Sequence, residues 1–81
     1  MAHFVAERYA PGDAGAVAAE VERLKRAAVR LGRARFVESL HLPADELCLF
    51  VFEAADLDEV AELSLLASVQ VDRIRTAEVT A

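Results

Sequence analysis

The chain has 81 residues, which is one domain, with 56% hydrophobic residues and a formal net charge of −5. That apolar share excludes a disordered chain, and the acidic balance argues against nucleic-acid phosphates and anionic membranes as partners. The single cysteine, Cys48, excludes an intrachain disulfide and a zinc site of paired cysteines.

The opening Met1-Ala2-His3-Phe4 has no basic region leading into an apolar core, so no secretory leader is expected. His3 to Tyr9 is rich in strand formers and stops at Pro11-Gly12, a strong turn signal. This is the first predicted strand. Asp13 then stands as a helix N-cap. Val17, Val21, Leu24, Ala28 and Leu31 follow at spacings of three and four, one face of an α-helix, and Gly32 fits a left-handed C-terminal cap. The opposite face is charged, and Glu22 is expected to meet Arg26 one turn on. Arg23, Lys25, Arg26, Arg30, Arg33 and Arg35 read as a solvated basic face.

Arg35 to Leu42 reads as a strand, Pro43-Ala44-Asp45 as a turn, and Leu47 to Phe52 as a strand apolar at every position. Together they predict a β-hairpin. Asp56 with Glu59 starts a second helix in the manner of a capping box. Leu63, Leu65 and Leu66 give that helix more apolar surface than one sheet face needs. Arg73 to Val79 is a final strand, placed at an edge by its charges.

The order strand–helix–strand–strand–helix–strand predicts an α+β domain over residues 1–81, the ferredoxin-like βαββαβ fold. Its four-stranded antiparallel sheet takes the order 4-1-3-2, with both helices on one face. The doubly apolar third strand then needs a cover on its open side. A second copy, packed sheet to sheet as a homodimer, is the expected cover. Self-association also suits so small a core. The lone thiol fits a reducing cytoplasm, and the wealth of Ala, Val, Leu, Arg and Glu suggests a bacterial source.

The hairpin turn sets a register with Leu42 opposite Leu47, His41 opposite Cys48 and Ser39 opposite Phe50. Without a bulge, Val37, Ser39, His41, Cys48, Phe50 and Phe52 share one face. Phe36, Glu38, Leu40, Leu42, Leu47, Leu49, Val51 and Glu53 share the other. His41 beside Cys48 is a soft donor pair suited to Zn, Ni or Cu, set against an edge histidine next to an inert buried thiol. A Cys–His nucleophile is disfavoured, because no helix N-terminus lies near Cys48 to lower its pKa. Glu7, Glu38 and Glu53 are acids in apolar strands, either oxygen ligands or a general base of raised pKa. The plainer alternative pairs Glu7 or Glu53 with Arg8, Arg35, Arg73 or Arg75 and leaves Glu38 in water. Tyr9 stands at the rim as a ligand contact or an amphipathic edge residue. Phe50-Val51-Phe52 lacks the glycine and basic residue of an RNA-recognition strand and reads as core.

Phe4-Val5-Ala6-Glu7-Arg8 with Pro11-Gly12, Glu38-Ser39, Asp45, Cys48-Leu49-Phe50, Phe52-Glu53-Ala54, Asp58-Glu59-Val60 and Val71-Asp72-Arg73-Ile74 together resemble a small bacterial family of ferredoxin-like proteins. That family is of unknown function, with some members described as nickel-binding. The resemblance implies a dimeric protein that binds a divalent metal, Ni or Zn, with Glu7, Cys48 and Glu53 carried over as ligands. His41 joins them from the hairpin register. The family's Arg-x-His-Ala stretch in the second helix has no counterpart here, where Leu63, Ser64 and Leu65 stand.

The sequence thus predicts a non-enzymatic homodimer that binds a small molecule or metal, through Glu7, His41, Cys48 and Glu53 for a metal, with Tyr9 and Glu38 lining a pocket. The rival is an enzyme built as a dimeric α/β barrel, an isomerase, cyclase or monooxygenase using a carboxylate base. A third reading is a dimerising module that serves another protein.

Overall fold

The computed structural model describes residues 1–80. Strand β1 spans Ala2–Tyr9, helix α1 Ala14–Leu31, β2 Arg35–Leu42, β3 Leu47–Ala54, helix α2 Leu57–Leu66 and β4 Arg73–Ala77. A single 3₁₀ turn, Pro43–Asp45, joins β2 to β3. The sheet is antiparallel in the order β2-β3-β1-β4, the ferredoxin-like arrangement the sequence predicts.

Local signals fix the helix ends. Asp13 accepts a hydrogen bond from the Ala16 N–H at 2.9 Å, and Gly32, at φ 72°, donates its N–H to the Ala28 carbonyl. Only a residue without Cβ takes that left-handed conformation at no steric cost. In α2, Asp56 accepts from the Glu59 N–H at 3.0 Å while Glu59 reaches back to the Ala55 N–H at 2.8 Å. Four donors that an α-helix leaves open at its start are thereby partly satisfied.

One face of the sheet carries the core. Phe4, Ala6, Cys48, Phe50, Phe52 and Ala54 pack beneath Val17, Leu24, Ala27 and Ala28 of α1 and Val60 and Leu63 of α2. Leu63 is therefore core, and it is Leu65, 81% exposed, that carries the surplus apolar surface of α2. Glu22 pairs with Lys25 at 3.7 Å, so the expected Glu22–Arg26 contact gives way to a neighbour at i+3.

The hairpin register is as predicted from Leu42↔Leu47 to Ser39↔Phe50, but it shifts between Phe36 and Glu38. A β-bulge at Val37 inserts one residue, and each residue beyond it changes sides. Phe36 consequently faces the helices, opposite Phe52, and meets its ring edge-on at 5.6 Å between centroids. This corrects the parity assigned to Phe36.

Candidate functional site

The open face follows from the pairing register, since alternate residues along each strand share a side. Four cross-strand rows start on β2, the first ending at β1 and the other three reaching β4. They are Leu42–Leu47–Tyr9, Leu40–Leu49–Glu7–Arg73, Glu38–Val51–Val5–Arg75 and Arg35–Glu53–His3–Ala77. The middle of this lattice is aliphatic. Val51 is 8% exposed yet lies outside the core cluster, and Leu40 and Leu42 are exposed.

Glu7 is the unusual member. Its residue is 7% exposed although it points away from the helices. The Tyr9 hydroxyl donates to its Oε1 at 3.2 Å. Arg75 Nε stands 2.8 Å from Oε2 and Arg73 Nε 4.0 Å away. The Arg75 contact is close in charge terms but not aligned as a hydrogen bond, and among the described residues Oε2 accepts none. A buried acceptor without a donor is costly, so this oxygen is free to take one from a ligand or solvent.

A second cluster closes the far end of the same face. Arg35 donates to Glu53 Oε1 at 2.6 Å, and His3 Nε2 lies 3.3 Å from the same oxygen. The hydrogen bond from Arg35 is the largest influence on the Glu53 carboxyl and holds it below its ordinary pKa, with His3 adding to the effect. A general base of raised pKa at Glu53 is thus corrected. Its contribution to stability is complete above the unfolded carboxyl pKa, roughly 4.3, and fades as pH falls through the lower folded value. Replacing Arg35 by alanine is expected to move the Glu53 titration, followed by side-chain carboxyl NMR, upward. An unchanged midpoint would refute the assigned cause.

His41 and Cys48 lie on the helix side, directly paired across β2 and β3. His41 is half-buried beside a cleft lined by Ala10, Pro11, Gly12, Pro43 and Glu46. Cys48 is fully buried. Burial pushes its thiol pKa up, the Glu20 carboxylate adds to this, and Arg8 opposes both. The folded protein's thiol is expected to resist iodoacetamide at neutral pH and to react only as the chain unfolds, followed by mass spectrometry. Rapid native alkylation would contradict it.

The residues nominated from the sequence therefore divide. Glu7, Tyr9, Glu38 and Glu53 share the open face, whereas His41 and Cys48 share the other. Glu7 sits opposite Leu49, four residues from Glu53 along β3, about 13 Å at 3.3 Å per residue. Glu7, His41, Cys48 and Glu53 do not surround one point, and no group of three His, Cys, Asp or Glu side chains gathers among the described residues. Both expected acid–arginine pairings are present, Glu7 with Arg73 and Arg75 and Glu53 with Arg35. Arg8 goes elsewhere. Its guanidinium meets Glu20 of α1 at 3.3 to 3.4 Å, beside Cys48. Sequence reading missed Glu20, counting it with the charged side chains of α1 although it is buried. Its signal was its spacing, three residues after Val17 and four before Leu24, on the core stripe.

The solved structure of SCO4226 from Streptomyces coelicolor A3(2) is similar to this chain, with a TM-score of 0.83 and 16% identity. The similarity covers 99% of this chain and 100% of that one. At that identity the likeness shows the ferredoxin-like fold alone. No family model matches the sequence, and no curated protein matches it. No helix among the described residues is long and apolar enough to cross a membrane.

Proposed function

We propose that the protein is a non-enzymatic homodimer that joins through the open sheet face and holds a small ligand against that face. The observation that carries this reading is Glu7, a carboxylate nine-tenths buried on the side away from the helices, with one oxygen lacking a hydrogen-bond donor. Aliphatic side chains of β1 and β3 surround it. Such a mixture of apolar wall and few polar groups is what small-molecule sites are made of. Tyr9 belongs to the same wall, and Glu38 to its outer edge.

Native mass at micromolar dilution and a ligand screen by thermal shift test the reading together. A particle of twice 8.8 kDa is expected. Hits in the screen are expected to weaken on Glu7→Gln. A folded 8.8 kDa monomer at every concentration would sink it.

The metal version rests on a different observation. His3 and Glu53 supply an imidazole and a carboxylate within 3.3 Å on the open face, where a second subunit would complete the ligand set. His41 and Cys48 stand apart from that pair. Calorimetric titration with Ni, Zn and Co decides it, and no heat with any of the three removes it. Of the acids nominated as a base, Glu7 alone keeps the desolvated setting that an enzyme reading needs.

A further inference from the structure

We infer that the two copies pack about a two-fold axis parallel to the strands, so that Glu38 of each subunit meets Arg75 of the other. This rests on the dimer reading above and adds its geometry.

The row Glu38–Val51–Val5–Arg75 crosses the whole sheet, with Glu38 on the β2 edge, Arg75 on the β4 edge and two valines between them. Aligned sheets can be related by two kinds of in-plane axis. An axis across the strands at the middle of the sheet sets every strand over its own copy in reverse, so Arg73 and Arg75 of β4 face the partner's β4 arginines. Like charges placed so oppose association. An axis along the strands exchanges the edges. It sets β2 over the partner's β4, Glu38 over the partner's Arg75, and Val51 over the partner's Val5.

The two end groups are free to meet. Glu38 is exposed and has no ion pair among the described residues. Arg75 directs Nε at Glu7, which leaves its two terminal nitrogens, and the side chain is 55% exposed. A guanidinium carries five donors, enough for both carboxylates. The same axis places Glu53 over the partner's His3 and Leu47 over the partner's Tyr9. Leu49 comes over the partner's Glu7, where the ligand proposed above would lie between them and supply the donor that Oε2 lacks. Four strands of up to eight residues present a face of about 19 by 26 Å, roughly 500 Å² in projection and more when side chains are counted. Standard interfaces bury about 800 Å² of accessible surface per partner, so one such face is of the right order.

The test measures dimerisation by sedimentation equilibrium for the unaltered protein, Glu38→Arg, Arg75→Glu and an equal mixture of the two variants. Each variant alone is expected to dimerise about tenfold or more weakly, because both edge contacts now join like charges. The mixture is expected to recover a tight heterodimer, since both contacts again join opposite charges. Variants that dimerise as tightly as the unaltered protein overturn the inference, as do weak variants whose mixture stays monomeric. A monomeric unaltered protein overturns the dimer reading itself. If Arg75→Glu does not fold beside Glu7, the same variant in a Glu7→Gln background takes its place, with circular dichroism as the check on folding.

Discussion

Truncating Phe50 to alanine is expected to lower the urea midpoint of unfolding by a quarter or more. Phe50 sits in a central strand, opposite Ala6 and Ser39, with no exposed surface, and it is among the largest fully buried side chains. Removing a buried phenylalanine ring costs about 3–5 kcal/mol through lost transfer free energy and the cavity left behind. A domain of this length has roughly 4–12 kcal/mol of stability in all, at 0.05–0.15 kcal/mol per residue. The substitution thus removes a quarter or more of the total. Urea denaturation followed by circular dichroism measures it, and a midpoint close to that of the unaltered protein would show that the core is not centred on this ring.

The second large effect is expected at Arg8. Its guanidinium and the Glu20 carboxylate are 20% and 10% exposed, side by side at 3.3 Å, with the Cys48 thiol buried nearby. Breaking a fully buried pair by removing one partner costs about 3–5 kcal/mol, because the other charge is left without compensation. Partial exposure and solvent screening reduce that to about 2 kcal/mol for Arg8→Ala. Glu20→Gln in the same chain is expected to restore much of the loss, since no lone carboxylate then remains. Equal instability of the single and double variants would show that the arginine acts by packing its stem instead.

Most of the fold was legible because each element carries its own local signal. The α1 stripe, the Asp13 and Asp56 caps, Gly32 and the Pro43 turn each have a short-range physical cause, and each stands where expected. The hairpin register was readable for the same reason, since a short turn fixes which residues face each other. The bulge at Val37 was not readable. Nothing in the residue type of Val37 or its neighbours demands it, and it shows only in the pairing of β2 with β3. The final strand ends at Ala77 and not Val79, since Val79 has no partner strand at its position and lies exposed among the described residues.

The polar residues were only half legible. Glu7 and Glu53 stood out as acids among apolar neighbours, and both proved to be held by arginines. Which arginine each acid meets is a long-range matter of strand order. Arg75 reaches Glu7 from a strand 68 residues later in the chain. His41 and Cys48 stand opposite each other and on the face away from Glu38 and Glu53, as the register predicts. Grouping His41 and Cys48 with Glu7 and Glu53 as one metal set ran against that register, and the set splits between the two faces.

The spare residue at Val37 also bears on how the molecule behaves in a crowd. An unbroken outer strand offers any passing chain a template for sideways growth, which ends in ribbons and precipitate. At one margin the kink spoils that template, and at the other a five-residue strand with two arginines is too short and too charged to serve. Growth in the plane of the sheet is thus opposed at both limits, although the open face itself stays aliphatic.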